Sequence, residues 1–237
     1  MHQIKVANIK IDIVRKDIKN MHLAVYPPKG RVRIAVPLRV DEEALRFFVI
    51  SKLPWIKNQQ RKFSGQERET AREYISRESH YLFGQRYLLN VIENEGSNKI
   101  VLHKRKIDLY TKKSTTALQR QSIMNEWYRR ELKRIIPHLL AKWEKKTGVH
   151  ASEWGVKLMK TKWGSCNREA KRIWLNLELA KKPITCLEYI IVHELVHLLE
   201  RRHNDLFLHY MASFMPKWKS HREELNRLPV GHAQWSY

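Results

Sequence analysis

Residues 189–199 read Tyr-Ile-Ile-Val-His-Glu-Leu-Val-His-Leu-Leu, which places His193, Glu194 and His197 at the HExxH spacing inside an apolar run. Positions i and i+4 of a helix lie one turn apart on one face, so both imidazoles can reach a single Zn²⁺ at about 2.0–2.1 Å. Glu194 stands roughly 100° further round the helix. That offset makes it a poor third ligand and a good general base toward the water such a metal activates. A catalytic zinc takes a third protein donor and keeps one position open. His203, six residues past His197 and just beyond the expected helix end, is the candidate, which gives one Zn²⁺ per chain. Glu223 and Glu224 are the substitutes if a later helix supplies a carboxylate instead. The apolar flanks would bury this helix, and ionisable groups are costly there unless paired or bound to metal.

Other candidate groups are weaker. The chain has two cysteines, Cys166 and Cys186, twenty residues apart and in no CxxC pair. They read as reduced thiols, since a disulfide scaffold needs more cysteines and a zinc ribbon a different spacing. No residue near Cys166 in sequence would activate its thiol, so a cysteine nucleophile is not expected. Trp163-Gly164-Ser165-Cys166 reads as a loop whose glycine permits close backbone approach, facing substrate or turning over a buried Trp163. His209, Tyr210 and His221 lie near the motif in sequence, and none of them is singled out to steady an oxyanion.

The elements that must position these groups follow from pattern. Period-two alternation through Ile9, Ile11, Ile13, then Leu23, Val25, then Val32, Ile34, Val36 predicts a three-stranded antiparallel meander over 3–36. Its turns are marked by Asp17 to Asn20 and by Pro27-Pro28-Lys29-Gly30. Asp41 is an N-cap candidate for a helix reaching about Lys62 and bent at Pro54. A polar connector spans Ser64 to Ser79, and short strands resume around Tyr81, Tyr87 to Ile92, Ile100 to His103 and Ile107 to Tyr110. Thr115 or Thr116 opens a long helix, kinked at Pro137, that ends near Gly148. Strands are expected at Trp154 to Lys162 and Arg172 to Leu179, and helices at about 184–201, 205–214 and 216–225. The order predicts an α+β fold, not βαβ alternation. The β-rich region with one helix covers 1–114, and the metal-binding catalytic region covers 115–237, as two regions or one continuous domain.

Composition narrows the class. The 237 residues are 43% hydrophobic and 30% charged, enough to bury a core without covalent staples. The amino terminus shows no secretory pattern, and no apolar run approaches the roughly 20 residues that span a bilayer. A cytoplasmic protein with no membrane partner is expected. Forty-six Lys and Arg stand against 24 Asp and Glu, a net charge of +22. Residues 99–146 alone hold 14 basic against 4 acidic side chains. A polyanion such as nucleic acid is therefore a candidate partner through the basic surface.

Trp163-Gly164-Ser165-Cys166, Leu175-Asn176, the helix bearing His193-Glu194-Leu195-Val196-His197, and then His203 and Phe207 together resemble the YgjP-like metallopeptidases. These are relatives of the SprT-like and WLM zincins. The resemblance implies a β-rich N-terminal half followed by a zincin-like helix and strand core. It also implies His193, His197 and His203 as metal ligands and Glu194 as the catalytic residue. Arg202, Asn204 and Leu208 stand where the family pattern has Asn, Ser and Trp. In zincins the strand before the metal helix pairs with an extended peptide substrate, and by resemblance Arg172 to Leu179 takes that place. Ile173, Leu175, Leu177 and Leu179 would then face the core, and Trp174, Asn176 and Glu178 the opposite side. The reading is a zinc-dependent hydrolase, a metallopeptidase acting on peptide or protein. The alternative is a basic nucleic-acid-binding protein with a structural zinc, which a fourth protein donor such as His209 or Cys166 would mark.

Overall fold

In the computed structural model, which describes residues 2–26, 30–64, 72–159 and 161–229, the early alternating residues form four strands. These are β1 (His2–Val6), β2 (Ile9–Lys16), β3 (His22–Tyr26) and β4 (Arg31–Pro37), in the sheet order β1-β2-β4-β3. β1 with β2 and β3 with β4 are antiparallel, but β2 and β4 run parallel, pairing Ile11 with Val32 and Ile13 with Ile34. The three-stranded antiparallel meander is therefore corrected in both strand number and direction. Alternation dictates which face a side chain takes, not which strand lies beside it. The extra strand turns at Ala7 and Asn8, with φ of 44° and 66°, a two-residue hairpin that alanine does not advertise. Of the turn expected at 27–30, residues 27–29 lie outside the described residues.

α1 (Glu42–Ser64) begins as expected, the Asp41 carboxylate accepting from the Ala44 amide at 2.7 Å. It continues unbroken across Pro54. Leu45, Val49 and Ile56 pack with Ile11, Ile34 and Val36 in one core. The chain divides into two compact units, residues 1–66 and 67–237. Of the connector expected at 64–79, residues 65–71 lie outside the described residues.

The second unit opens with β5 (Ser79–Leu82), β6 (Gln85–Glu93), β7 (Lys99–Leu102) and β8 (Lys106–Thr111). Their order, β5-β6-β8-β7, and their directions repeat those of the first sheet, with β6 and β8 parallel. α2 (Ala117–Thr147) starts in a reciprocal cap: the Thr116 hydroxyl accepts from the Gln119 amide at 3.3 Å, and the Gln119 side chain from the Thr116 amide at 2.8 Å. It stays helical through Pro137 and stops at Gly148, whose φ of 68° suits glycine. Residues 114 and 115 both lie inside the second unit, because Leu89, Ile107 and Leu109 of the sheet share a core with Met124, Tyr128 and Leu132 of α2.

A third sheet follows, β9 (Glu153–Lys157), β10 (Gly164–Asn167) and β11 (Arg172–Asn176), in the order β10-β11-β9. Three expectations change here. The strand from Trp154 ends at Lys157, the loop at 163–167 contains β10, and the strand from Arg172 ends at Asn176, where a 3-10 helix (Leu177–Lys181) takes over. Buried Asn176 is the reason, because its side chain spends all four hydrogen-bonding sites. Its oxygen accepts from the amides of Met159 at 3.2 Å and Glu178 at 3.1 Å, and its nitrogen donates to the carbonyls of Met159 at 2.9 Å and Lys162 at 2.7 Å. Ile173, Leu175, Leu177 and Leu179 are all buried as expected, the last two from the 3-10 helix. α3 (Ile184–Leu199), α4 (Asp205–Phe214) and α5 (Trp218–Arg227) complete the described chain. The fold is mixed α+β, with a β-rich N-terminal half and helices after it. Among the described residues no helix is long and apolar enough to cross a membrane.

Candidate metal centre

α3 is embedded by Leu187, Ile191, Val192, Leu195 and Val196, all fully buried, which leaves only a strip of the helix to face a cleft. His193 and His197 lie on that strip one turn apart, their rings edge to face at 4.8 Å. His203 joins them from the short link between α3 and α4. That link is held at both ends: the Arg202 amide donates to Glu200 at 2.9 Å, and the Asn204 side chain accepts from the Phe207 amide at 3.0 Å as the N-cap of α4.

The ligand-type nitrogens of His193, His197 and His203 lie within 4.8 Å of one another, and the Nε2 atoms of His193 and His203 are 3.0 Å apart. Nδ1 of His197 sits 3.1 Å from the Glu200 carbonyl. Donation to that carbonyl leaves Nε2 as the free donor, the usual outer support of a metal-binding imidazole. Phe207, 2% exposed, forms an apolar floor whose ring centre is 5.0, 4.8 and 4.7 Å from those of His193, His197 and His203. Burial, then the neighbouring charges of His197 and His203, push His193 down to about 3, so it is a neutral donor at physiological pH. Burial also lowers His197. Three imidazole nitrogens gathered on an apolar floor fit a borderline-soft divalent ion.

Glu194 is only 4% exposed, and its Oε2 has no hydrogen-bond partner among the described residues. Burial raises its carboxyl to about 8, and the charge of Lys162 opposes the rise. β10 runs beside it. A Cβ built on Gly164 would stand 2.4 Å from Glu194 Oε1, so glycine is required for the carboxylate to sit where it does. The close approach foreseen for this glycine is therefore to Glu194. β10 and β9 are the edge strands and β11 lies between them with both edges paired, and of the two edges only β10 borders the cleft. The strand that could receive an extended peptide is thus Gly164–Asn167, and the assignment to Arg172 to Leu179 is corrected.

The cleft holds about 940 Å³ and takes walls from β10, α3 and α5. Cys166 lines it, its thiol raised to about 11 by burial and then by the Glu194 charge, and it is not part of the three-histidine group. Neither Glu223 nor Glu224 belongs to that group, and Glu224 instead accepts from the Thr185 hydroxyl at 3.2 Å. His209, Tyr210 and His221 do not line the cleft. Tyr189, Lys162, Arg222 and Asn226 do, and sequence reasoning missed them. Tyr189 was within reach of helical periodicity, four residues before His193. Arg222 carried no local signal, since only the packing of α5 on α3 brings it there.

Fold and cleft together define a mixed α+β protein with a candidate three-histidine metal centre. The chain belongs to the YgjP-like family, whose model, described as the YgjP-like metallopeptidase domain, matches residues 19–228. Comparison with curated proteins and with solved structures finds no match.

Proposed function

We propose that this protein is a zinc-dependent metallopeptidase in which His193, His197 and His203 hold the metal and Glu194 is the general base. The observation that carries the reading is the pairing of three imidazoles, whose ligand nitrogens lie within 4.8 Å, with a buried Glu194 oxygen, next to His193 on α3, that has no partner among the described residues. Zn²⁺ at the three nitrogens supplies Lewis-acid polarisation of a carbonyl and acidifies water. Glu194 accepts the proton of the attacking water and returns it to the leaving amine nitrogen. The peptide or protein substrate lies along β10, whose free edge borders the same cleft.

Among the described residues no fourth side chain joins the three histidines, and this favours a site open to substrate over a closed structural zinc. The test is Glu194→Gln. It retains about one zinc per chain by mass spectrometry and loses peptide hydrolysis by at least roughly 10³-fold. Normal turnover in that variant would falsify the mechanism. Support for a polyanion contact on the outer face of the first sheet comes from Lys5, Lys10, Arg31 and Arg33, which share one side with a single acid, Asp12, among the described residues.

A further inference from the structure

Beside the metal centre, between α3 and α5, the cleft has a second set of polar groups. Tyr189 is 5% exposed and sits one turn before His193, its ring 5.9 Å from that histidine. Its phenol makes no hydrogen bond to the described residues, and its oxygen, unlike Glu194 Oε2, is open to the cleft. Because Tyr189 lines the cleft, a ligand there can supply that partner. Arg222 lines the same wall, its guanidinium 5.0 Å above the ring of buried Trp218, which orients it along α5. No acidic partner for Arg222 exists among the described residues. Tyr189 and Arg222 face the one cleft from α3 and α5, two helices that pack on each other. Asn226, one turn further along α5, adds an amide, and Ile190 and Leu225 supply an apolar base. α5 is anchored for this by the Thr185 to Glu224 hydrogen bond.

We infer that Tyr189, Arg222 and Asn226 form a carboxylate-binding subsite for the peptide substrate, a reading that rests on the hydrolase function proposed above. A planar guanidinium fork matches a carboxylate in geometry as well as charge, and the phenol adds a third hydrogen to its oxygens. The carboxylate can come from an acidic side chain or from the end of a peptide chain.

The test compares one peptide scaffold in three forms on the zinc-loaded protein: an internal Glu with an amidated end, a neutral sequence with a free terminal carboxylate, and a neutral amidated sequence. One carboxylate form is expected to exceed the neutral amidated form in kcat/KM by about 10–100-fold, and which one it is names the source. In Arg222→Gln the three forms converge, in Tyr189→Phe the preferred form loses about fivefold to tenfold, and in Arg227→Gln, a surface change on the same helix, the preference persists. Fluorescently labelled copies of the peptides, titrated by anisotropy against Glu194→Gln, follow the same order without turnover. Equal kcat/KM for the three forms, or a preference that survives Arg222→Gln, overturns the subsite and leaves the hydrolase reading standing. If no form is cleaved but Glu194→Gln binds the carboxylate forms in an Arg222-dependent way, the subsite stands and the hydrolase reading fails.

Discussion

The chain contains the same local architecture twice. β1 to β4 with α1 and β5 to β8 with α2 share strand order, strand directions and a long helix after the fourth strand. Each sheet also buries one aspartate on the face opposite its core. Asp12 accepts from Gln3 at 2.5 Å and from Arg31, and Asp108 accepts from Asn90 at 2.9 Å and pairs with Lys106 at 3.2 Å. What differs is the company each core keeps. The buried residues of the first run from Ile4 to Ile56 around α1, whereas the second continues through α2 into the helix that bears His193, Glu194 and His197. Their outer faces differ as well: Lys5, Lys10, Arg31 and Arg33 dominate the first, while Leu88, Ile92, Val101 and Tyr110 interrupt the charges of the second. Repeated topology therefore does not imply repeated function, because the chemistry depends on what packs on the module.

The sharpest way to separate the two regions is at Gly164. Gly164→Ala is expected to cost on the order of 10³-fold in turnover, as the added carbon displaces the Glu194 carboxylate, while zinc stoichiometry stays near one. Steady-state kinetics with metal analysis on one preparation checks both halves. Next come two matched cavities, Ile34→Ala and Leu109→Ala, each at a fully buried position and each expected to cost about 2–5 kcal/mol in denaturant unfolding. Because the second core continues into the helix bearing His193 and His197 and the first does not, only Leu109→Ala is expected to weaken zinc retention and turnover. Equal loss in both would break the comparison.

The paired aspartates give a smaller effect with a definite sign. Burial alone would raise the Asp12 carboxyl, but hydrogen bonds from Arg31 and Gln3 and the charges of Arg31 and Arg33 outweigh it and hold the group below its ordinary value. Asp108 is lowered in the same manner, against burial, by hydrogen bonds from Asn90 and Lys106. A depressed folded value adds stability that is fully present above the unfolded carboxyl value of about 3.9 and disappears as pH falls through the folded one. Asp12→Asn should lower stability at pH 7 by about 1.5–3 kcal/mol and flatten its decline below pH 4, read from urea unfolding at a series of pH values. Asp108→Asn should do the same in the second unit. The smallest effect concerns the outer faces. Lys5→Glu with Lys10→Glu should weaken binding to a single-stranded oligonucleotide about tenfold at 0.15 M salt and reduce its salt slope by about two. Lys99→Glu with Lys106→Glu should matter less.

Much of this molecule was legible locally. The HExxH spacing, the Asp41 and Thr116 caps, the Gly148 stop and the strands of the second sheet all depend on residues within a few positions of one another. His203 was legible by chemistry and distance, six residues past His197, before any tertiary contact was known. The first sheet was misread because alternation is silent on strand order and because Ala7-Asn8 is a weak turn signal. β10 passed for a loop because four residues carry little periodicity of their own, and its pairing partner, β11, decides it.

By itself the sequence predicted the helix bearing His193, Glu194 and His197, the candidate His203 beyond its end and the α+β succession, since helix periodicity, capping and ligand spacing are properties of adjacent residues. Only the tertiary structure decided that strands far apart in the chain run parallel, that Gly164 makes room for Glu194, and that Arg222 and Tyr189 share one wall of the cleft. Those outcomes depend on which buried surfaces meet, and hydrophobic attraction, which has no direction, leaves that choice to the packing of the whole unit.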